Sequence, residues 1–251
     1  MKKVFAAAAI AATVGLTGAS ASAQSVNFDF SSSVPLAASQ TPGAWYTDRY
    51  APGEFDSFSF NGEDVLRHGI RADDQQTNSF YNYQGRKYDL GLGSASETVT
   101  MSIDLWVDES WQGADRNAGM WATGRDANGD ISAYPIMAFR EDGIDTYDYI
   151  NGVWQPGVSL STGDFDNWFN LSFTLTPGVG VEYFVNGVSL GTFADTSTTM
   201  IDNVILNGYN FGEDYDIYWD NFTAQSTLIP LPGAAGMALA GMGMIGLRRR
   251  R

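Results

Sequence analysis

The 251-residue chain contains no cysteine and only one histidine. Without cysteine the protein has neither a disulfide nor a thiol nucleophile, so its stability must come from the burial of apolar surface. A Ser-His-Asp arrangement would depend on His68 alone, and no serine or aspartate pattern in the sequence accompanies it. We therefore expect His68 to have a structural role.

Basic residues are also scarce. There are 14 against 29 acidic residues, and six of the 14 lie at the two ends of the chain, so the central part carries a net charge of about −21. Nucleic acids and anionic lipid surfaces are bound through Lys and Arg, so the sequence excludes both as partners of this part of the chain. The charge suits a solvated exterior protein and is compatible with the capture of divalent cations.

Helical periodicity is hard to find, whereas strand-like alternation recurs along the chain. Thr98 to Val107 alternates apolar and polar residues, and so does Phe169 to Leu175. Asn186-Gly187 separates two further alternating runs, which is a strong hairpin signal because both turn residues take positive φ. About a dozen strands at this spacing predict an all-β, two-sheet antiparallel sandwich over residues 24–225.

Three segments in the second half of this region occur in a familiar order. They are SFTLT (172–176), VEYFVNGVSLG (181–191) and YWDNF (218–222). Over residues 168–224 this order resembles the C-terminal half of concanavalin A-like, laminin-G-like jelly rolls. The resemblance implies that the sandwich is a jelly roll.

The N-terminal end has the three parts of a secretory signal peptide. Lys2 and Lys3 precede an apolar stretch, and a small-residue A-x-A site ends at Ala23. The sequence predicts a signal peptide over residues 1–23, cleaved between Ala23 and Gln24. The alternative, a first transmembrane helix, is disfavoured because the apolar stretch is short.

The C-terminal end, residues 226–251, is predicted to be a linker followed by a three-part tag. The apolar part, residues 231–247, is long enough for a helix of about 26 Å, at the short end of a membrane span. The terminal arginines resist transfer across the bilayer because their desolvation is costly. The tag consists of a motif (Ile229, Pro230, Leu231, Pro232, Gly233, Ala234), the apolar helix and a basic anchor (Arg248, Arg249, Arg250, Arg251).

This tag resembles the C-terminal sorting signal of PEP-CTERM proteins, in the variant that reads VPLPA. Ile229 replaces the valine and Gly233 replaces the first alanine of that motif. The resemblance implies passage through the export machinery, a transient anchor in the inner membrane and cleavage by an exosortase-type membrane protease. It further implies a surface or extracellular protein of a Gram-negative bacterium that produces exopolysaccharide.

Two acidic groups are candidate calcium sites. Asp126, Asn128 and Asp130 carry oxygen ligands at alternate positions, as a calcium loop does, but position 12 of an EF-hand would be Met137 instead of glutamate. An ordinary hairpin loop is the alternative, since turns favour the same residues. The second group is formed by Asp214, Asp216 and Asp220, which could converge at one edge of the sandwich.

Aromatic residues are abundant, with seven Trp and 12 Tyr. Exposed aromatic rings offer flat surfaces on which sugar rings stack, although a large sandwich without disulfides buries most of its aromatic residues. Trp106 lies on the polar face of its strand and Trp111 in the following loop, so these two are the candidate carbohydrate contacts. We expect the other five tryptophans to belong to the core.

Carboxylates at the spacing of the jelly-roll glucanases are missing. Glu141 and Asp145 are spaced wrongly, and the stretch that starts at Asp104 lacks glutamate. We therefore expect a protein without enzymatic activity that is exported to the surface or extracellular matrix and binds or structures exopolysaccharide. The alternatives are a divergent jelly-roll glycan hydrolase and a purely structural or adhesive spacer.

Overall fold

The computed structural model describes residues 24–229. The predicted signal peptide, the sorting motif from Pro230 onwards, the apolar segment 231–247 and the basic anchor lie outside the described residues. Across residues 24–229, no helix has the length and apolar character needed to cross a membrane.

The described chain is built almost entirely from strands. Three short 3-10 helices interrupt it, at Ala72–Asp74, Ser79–Asn82 and Glu109–Trp111. The strands are β1 (Ser25–Phe28), β2 (Leu36–Ala37), β3 (Trp45–Thr47), β4 (Glu54–Phe60), β5 (Glu63–Ile70), β6 (Tyr83–Leu92), β7 (Glu97–Val107), β8 (Ala118–Asp126), β9 (Ile131–Ala133), β10 (Ile136–Arg140), β11 (Gly143–Asp148), β12 (Val153–Ser159), β13 (Asn167–Thr176), β14 (Gly180–Val185), β15 (Val188–Ala194), β16 (Thr198–Tyr209) and β17 (Tyr215–Leu228).

These strands form two sheets, which confirms the predicted all-β, two-sheet architecture. The nine-stranded front sheet has the order β12-β11-β10-β8-β16-β6-β3-β2, with β9 on β8. The eight-stranded back sheet has the order β15-β14-β13-β7-β17-β5-β4, with β1 on β17. Neighbouring strands are antiparallel except for the short pair β2 and β3, which is parallel.

The core lies between the two sheets and follows the alternation seen in the sequence. In β7 every second residue from Val99 to Val107 is buried, and the residues between them face outward. Trp45 and Trp219 are fully buried, as predicted. His68 is also completely buried, with its Nε2 3.1 Å from the carbonyl oxygen of Gln84. Burial lowers the pKa of His68 to about 3, so the ring is neutral and belongs to the core, in line with the expected structural role.

Two predicted turns are present. Asn186 and Gly187 have φ values of 50° and 75°, as a two-residue hairpin turn requires. At the tip of the β8–β9 hairpin, the Asp126 carboxylate accepts hydrogen bonds from the backbone N–H groups of Asn128 (2.8 Å) and Asp130 (3.0 Å). The last strand runs to Leu228, so it includes residues 226–228, which the sequence assigned to a linker.

Candidate functional site

The outer face of the front sheet carries a groove lined by aromatic side chains, which we call the aromatic groove. It consists of two adjoining cavities of about 440 and 560 Å³. Tyr83 and Trp154 line both cavities, so the two lie side by side. The other aromatic residues of the lining are Trp121, Tyr134, Tyr147, Tyr209 and Phe211.

Strand alternation directs these residues outward. In β8, Met120 and Ala122 are buried in the core, which places Trp121 on the outer face between them. Trp121 pairs in register with Ile136 of β10 on one side and with Ile205 of β16 on the other. The outer face of the front sheet is therefore apolar at its centre, where a face covered only by water would be polar.

The aromatic rings contact one another across the strands. The ring centroid of Tyr83 lies 5.0 Å from that of Trp121 and 4.8 Å from that of Tyr209. Tyr147 and Trp154, paired in register on β11 and β12, have centroids 5.4 Å apart. The result is a line of rings through Trp121, Tyr83 and Tyr209, with Tyr147 and Trp154 as a second pair on β11 and β12.

Cations lie against these rings. The guanidinium carbon of Arg49 is 4.8 Å from the Trp121 ring centroid, and that of Arg140 is 4.8 Å from the Trp154 centroid. Such contacts hold a guanidinium parallel to an aromatic face and leave its N–H groups available. Of the eight basic residues in the described chain, four line the groove: Arg49, Lys87, Arg116 and Arg140.

Carboxylates fix these cations in place and offset their charge. The two carboxylate oxygens of Asp48 contact Arg49 at 2.8 Å and Lys87 at 3.1 Å. Arg116 contacts Glu213 at 2.7 Å. The groove therefore offers oriented donors and acceptors beside apolar rings instead of a strong positive field.

Several polar atoms in the groove floor have no hydrogen-bond partner among residues 24–229. Asn207 is 1% exposed, and neither its amide nitrogen nor its amide oxygen is paired. The same holds for Nε1 of Trp121 and Oδ1 of Asn117. The indole of Trp121 lies over Gly119, where a β-carbon would come within 2.5 Å of Nε1, so a larger residue there would displace the ring. Unpaired polar groups at this depth are costly unless another molecule satisfies them.

The turn between β10 and β11 lies at one end of the groove and has an unusual backbone. Its two residues, Glu141 and Asp142, have φ values of 51° and 57° without being glycine or asparagine, a conformation that costs free energy. The turn places Glu141 in the groove lining, in contact with Arg140. Arg140 also lies 3.9 Å from Asp145, so one guanidinium lies between two carboxylates. Burial raises the pKa of Asp145; the N–H of Gly157 and the charge of Arg140 oppose this rise, and the charge of Glu141 adds a smaller one.

The two tryptophans predicted to contact carbohydrate lie in different environments, and neither is in the aromatic groove. Trp106 lies on the outer face of the back sheet and is partly exposed, as its strand position predicts. The expectation that Trp111 is exposed is wrong, because it is 2% exposed and packs against Phe139 and Tyr215. The Asp108 carboxylate accepts a hydrogen bond from the N–H of Ser110, and the helical turn that this caps directs Trp111 inward.

The expectation that the remaining tryptophans are core residues is also wrong for three of them. Trp121, Trp154 and Trp168 are only half-buried and lie on outer sheet faces. The alternation along β8 does predict the position of Trp121. If Met120 and Ala122 face the core, Trp121 between them faces outward. Trp154 and Trp168 lie near the ends of their strands, where the alternating run is too short to predict the face on which each side chain lies.

The predicted calcium ligands do not converge. Asp126, with Asn128 and Asp130, forms a hairpin loop whose carboxylate is occupied by backbone N–H groups. Within residues 24–229, no group of three or more His, Cys, Asp or Glu side chains is placed to hold a metal ion. In the second predicted group each carboxylate has a protein partner of its own: Asp214 accepts from the N–H of Ala72, Asp216 pairs with Arg71, and Asp220 accepts from the N–H of Asn221.

Comparison with known proteins gives a likeness of fold only. No protein-family model matches the chain, and no curated protein does. The solved structure of "Cellulose induced protein, Cip1" is 11% identical, with a TM-score of 0.51, over 79% of this chain and 96% of that one. A family 7 alginate lyase in complex with substrate is 12% identical, with a TM-score of 0.48, over 82% and 96% of the two chains. LamAcat from Zobellia galactanivorans is 10% identical, with a TM-score of 0.49, over 80% and 96%.

These likenesses support the jelly-roll body of concanavalin-like type that the sequence predicted. They also correct one expectation. The prediction of a protein without enzymatic activity does not stand, because the solved structures similar to this chain include an alginate lyase with its substrate bound. In fold, the chain is a two-sheet jelly-roll β-sandwich similar to the solved structure of Cip1.

Proposed function

We propose that the protein binds a polysaccharide chain in the aromatic groove. The observation that carries the proposal is the line of rings through Tyr83, flanked by arginines and underlain by unpaired amide groups. Sugar rings present apolar faces between hydroxyl groups, so they match aromatic surfaces bordered by fixed donors and acceptors. The amide of Asn207 would gain partners when Trp121 shifts to admit a ligand hydroxyl.

The shape of the groove favours a chain over a single sugar. Its lining draws on six strands, from β12 to β6, and strands about 4.8 Å apart give a length of about 24 Å. Both cavities are open to solvent, so a polymer can enter and leave without threading through the protein. The ion pair between Asp48 and Arg49 offers both a donor and an acceptor to vicinal hydroxyl groups.

Replacing Trp154 with alanine is expected to weaken the binding of soluble polysaccharide about tenfold, because the change removes a ring that lines both cavities and contacts Tyr147 and Arg140. Affinity electrophoresis measures the effect, in gels that contain either an uncharged polymer (β-glucan or galactomannan) or the charged polymer alginate. Ile150→Ala is the matched control, since Ile150 is 61% exposed in the turn that joins β11 to β12 and does not line the groove. Equal affinity of the wild type and Trp154→Ala for every polymer that binds would contradict the proposal.

A second candidate function is cleavage of the bound chain. The strained Glu141-Asp142 turn favours it, since strain of this kind is retained where it positions a reacting group. Glu141 and Asp145 lie on either side of Arg140, and the raised pKa of Asp145 suits a proton donor beside an ionised partner. Asp104, the other carboxylate considered from the sequence, lies on the outer face of the back sheet and is not part of this group.

We also propose that the protein acts outside the cell, where polysaccharide is available. The support is the sequence of the two chain ends, with a signal peptide over 1–23 and a sorting tag over 226–251. The mass of the protein recovered from the cell surface is expected to lack residues 1–23 and the arginines at 248–251. Recovery of the chain from the cytosol with both ends intact would contradict this part of the proposal.

A further inference from the structure

The outer face of the back sheet carries a second set of aromatic side chains, on the side of the sandwich opposite the groove. We call it the aromatic strip: Phe58, Phe60, Tyr218, Trp106 and Trp168. Tyr218, Trp106 and Trp168 are direct register partners on three adjacent strands, β17, β7 and β13. All five lie outside the core and are partly exposed.

The rings of the strip contact one another in a continuous series, some stacked face to face and some edge to face. Phe60 stacks on Tyr218 with centroids 4.0 Å apart and an interplanar angle of 19°, and Phe58 lies 6.0 Å from Tyr218 at 20°. Trp106 continues the row, 5.4 Å from Phe60 and 5.6 Å from Trp168. Elsewhere on this face the outward residues of β7 and β13 are polar, so the strip is a local departure from a water-covered face.

A row of polar side chains borders the strip one register step away. Asp220, Asp104 and Asn170 pair in register across the same three strands. The Asp104 carboxylate accepts from Nδ2 of Asn170 at 2.7 Å and from Nδ2 of Asn221 at 3.0 Å. These bonds hold the carboxylate and amide groups in fixed orientations beside the rings, as a site that selects hydroxyl groups requires.

The charge around the strip limits the chemistry of its occupant. Asp104 and Asp220 lie beside each other, and burial together with this neighbour raises the pKa of Asp220. Arg67 contacts Phe58, with its guanidinium carbon 4.8 Å from the ring centroid, but it also lies 3.7 Å from Glu54. An acidic border repels uronate or sulfate groups and accepts hydrogen bonds from uncharged hydroxyl groups.

We propose that the aromatic strip is a second, independent polysaccharide site that takes an uncharged chain. Pyranose rings contact Phe58, Trp106 and Trp168 while their hydroxyl groups bind Asp104, Asp220 and Asn170. Because the strip and the groove lie on opposite faces, one molecule can hold two chains. The proposal of binding at the strip does not depend on the groove. The bridging of two chains also rests on the function proposed for the groove.

The test uses Trp154→Ala protein, in which binding at the groove is weakened, and adds Trp168→Ala together with Phe58→Ala. The residual affinity for uncharged β-glucan or galactomannan in affinity electrophoresis is expected to fall at least tenfold on this addition. Alginate is expected to show no strip-dependent binding. Val188→Ala is the control, since Val188 is 66% exposed on the edge strand of the same sheet and outside the strip. Urea unfolding of each variant separates loss of the site from loss of the fold.

Several outcomes overturn the proposal. Residual binding that the strip substitutions leave unchanged, or strip-dependent binding of alginate as strong as that of the uncharged polymers, would do so. A wild-type dimer in light scattering that the strip substitutions convert to a monomer would assign the strip to a second copy of the chain instead. If Trp154→Ala alone has no effect while the strip variants lose binding, the groove proposal fails and the strip proposal stands. Bridging is measured by the viscosity of a polysaccharide solution, which the wild type should raise and each single-face variant should not.

Discussion

Replacing Trp111 with alanine is expected to lower the free energy of unfolding by about 3–5 kcal/mol, the range typical of large buried aromatic residues. The indole is 2% exposed, with ring centroids of Phe139 and Tyr215 at 5.1 and 6.0 Å. Removing it leaves a cavity between the sheets that the surrounding strands cannot fill, since their hydrogen-bonded ladders fix their spacing. Urea unfolding followed by tryptophan fluorescence and circular dichroism measures the change.

Trp168→Ala is the matched comparison, because it removes the same side chain from an outer sheet face. Its expected cost is about 1 kcal/mol or less. Polysaccharide binding by Trp111→Ala is expected to match that of the wild type under conditions where the variant is folded. Unchanged stability combined with lost binding would show that Trp111 contacts ligand after all.

Glu141→Gln is expected to lower the rate of chain cleavage about 100-fold or more, the scale of a general acid or base. The substitution keeps the size of the side chain and its place in the groove lining but removes the charge that faces Arg140 and raises the pKa of Asp145. Release of reducing ends and formation of unsaturated products, assayed on the polymers that bind, measure the rate. Affinity should change by no more than about threefold, because glutamine still offers hydrogen bonds to hydroxyl groups.

Glu182→Gln is the control for Glu141→Gln, since Glu182 lies on β14 of the back sheet, outside both the groove and the strip, and should not affect the rate of cleavage. A wild-type protein that binds a polymer and leaves its length unchanged after prolonged incubation would contradict the cleavage candidate. So would a Glu141→Gln variant that cleaves at the wild-type rate.

The sequence determined the fold class well because the alternation of residues is set by the two faces of each strand. Thr98 to Val107 reads correctly as a half-buried strand, and Asn186-Gly187 reads correctly as a hairpin turn. These signals are local, since a residue's position within its own strand decides which way it points. The order of strands in the two sheets is not local, and no short pattern encodes it.

The sequence does not predict the groove, because the groove also depends on the order of strands in the sheet. Tyr83, Trp121, Tyr147 and Trp154 belong to four strands and meet only because β6, β8, β11 and β12 lie in one sheet. Large aromatic residues are most often buried, so composition alone assigns them to the core. For Trp111 the error is the opposite one. Its position in a loop predicts exposure, but a short capped helix turns the side chain inward.

The position of β17 has a consequence for the order in which the molecule assembles. This strand of 14 residues joins β5 on one side to β7 on the other, and it also pairs with β1. Until it arrives, the back sheet exists as two separate halves, and Ser25, at the start of the body, lacks its partner Gln225. A chain that is synthesised from its N-terminus therefore cannot complete its hydrogen-bonded ladder before the end of the body has emerged.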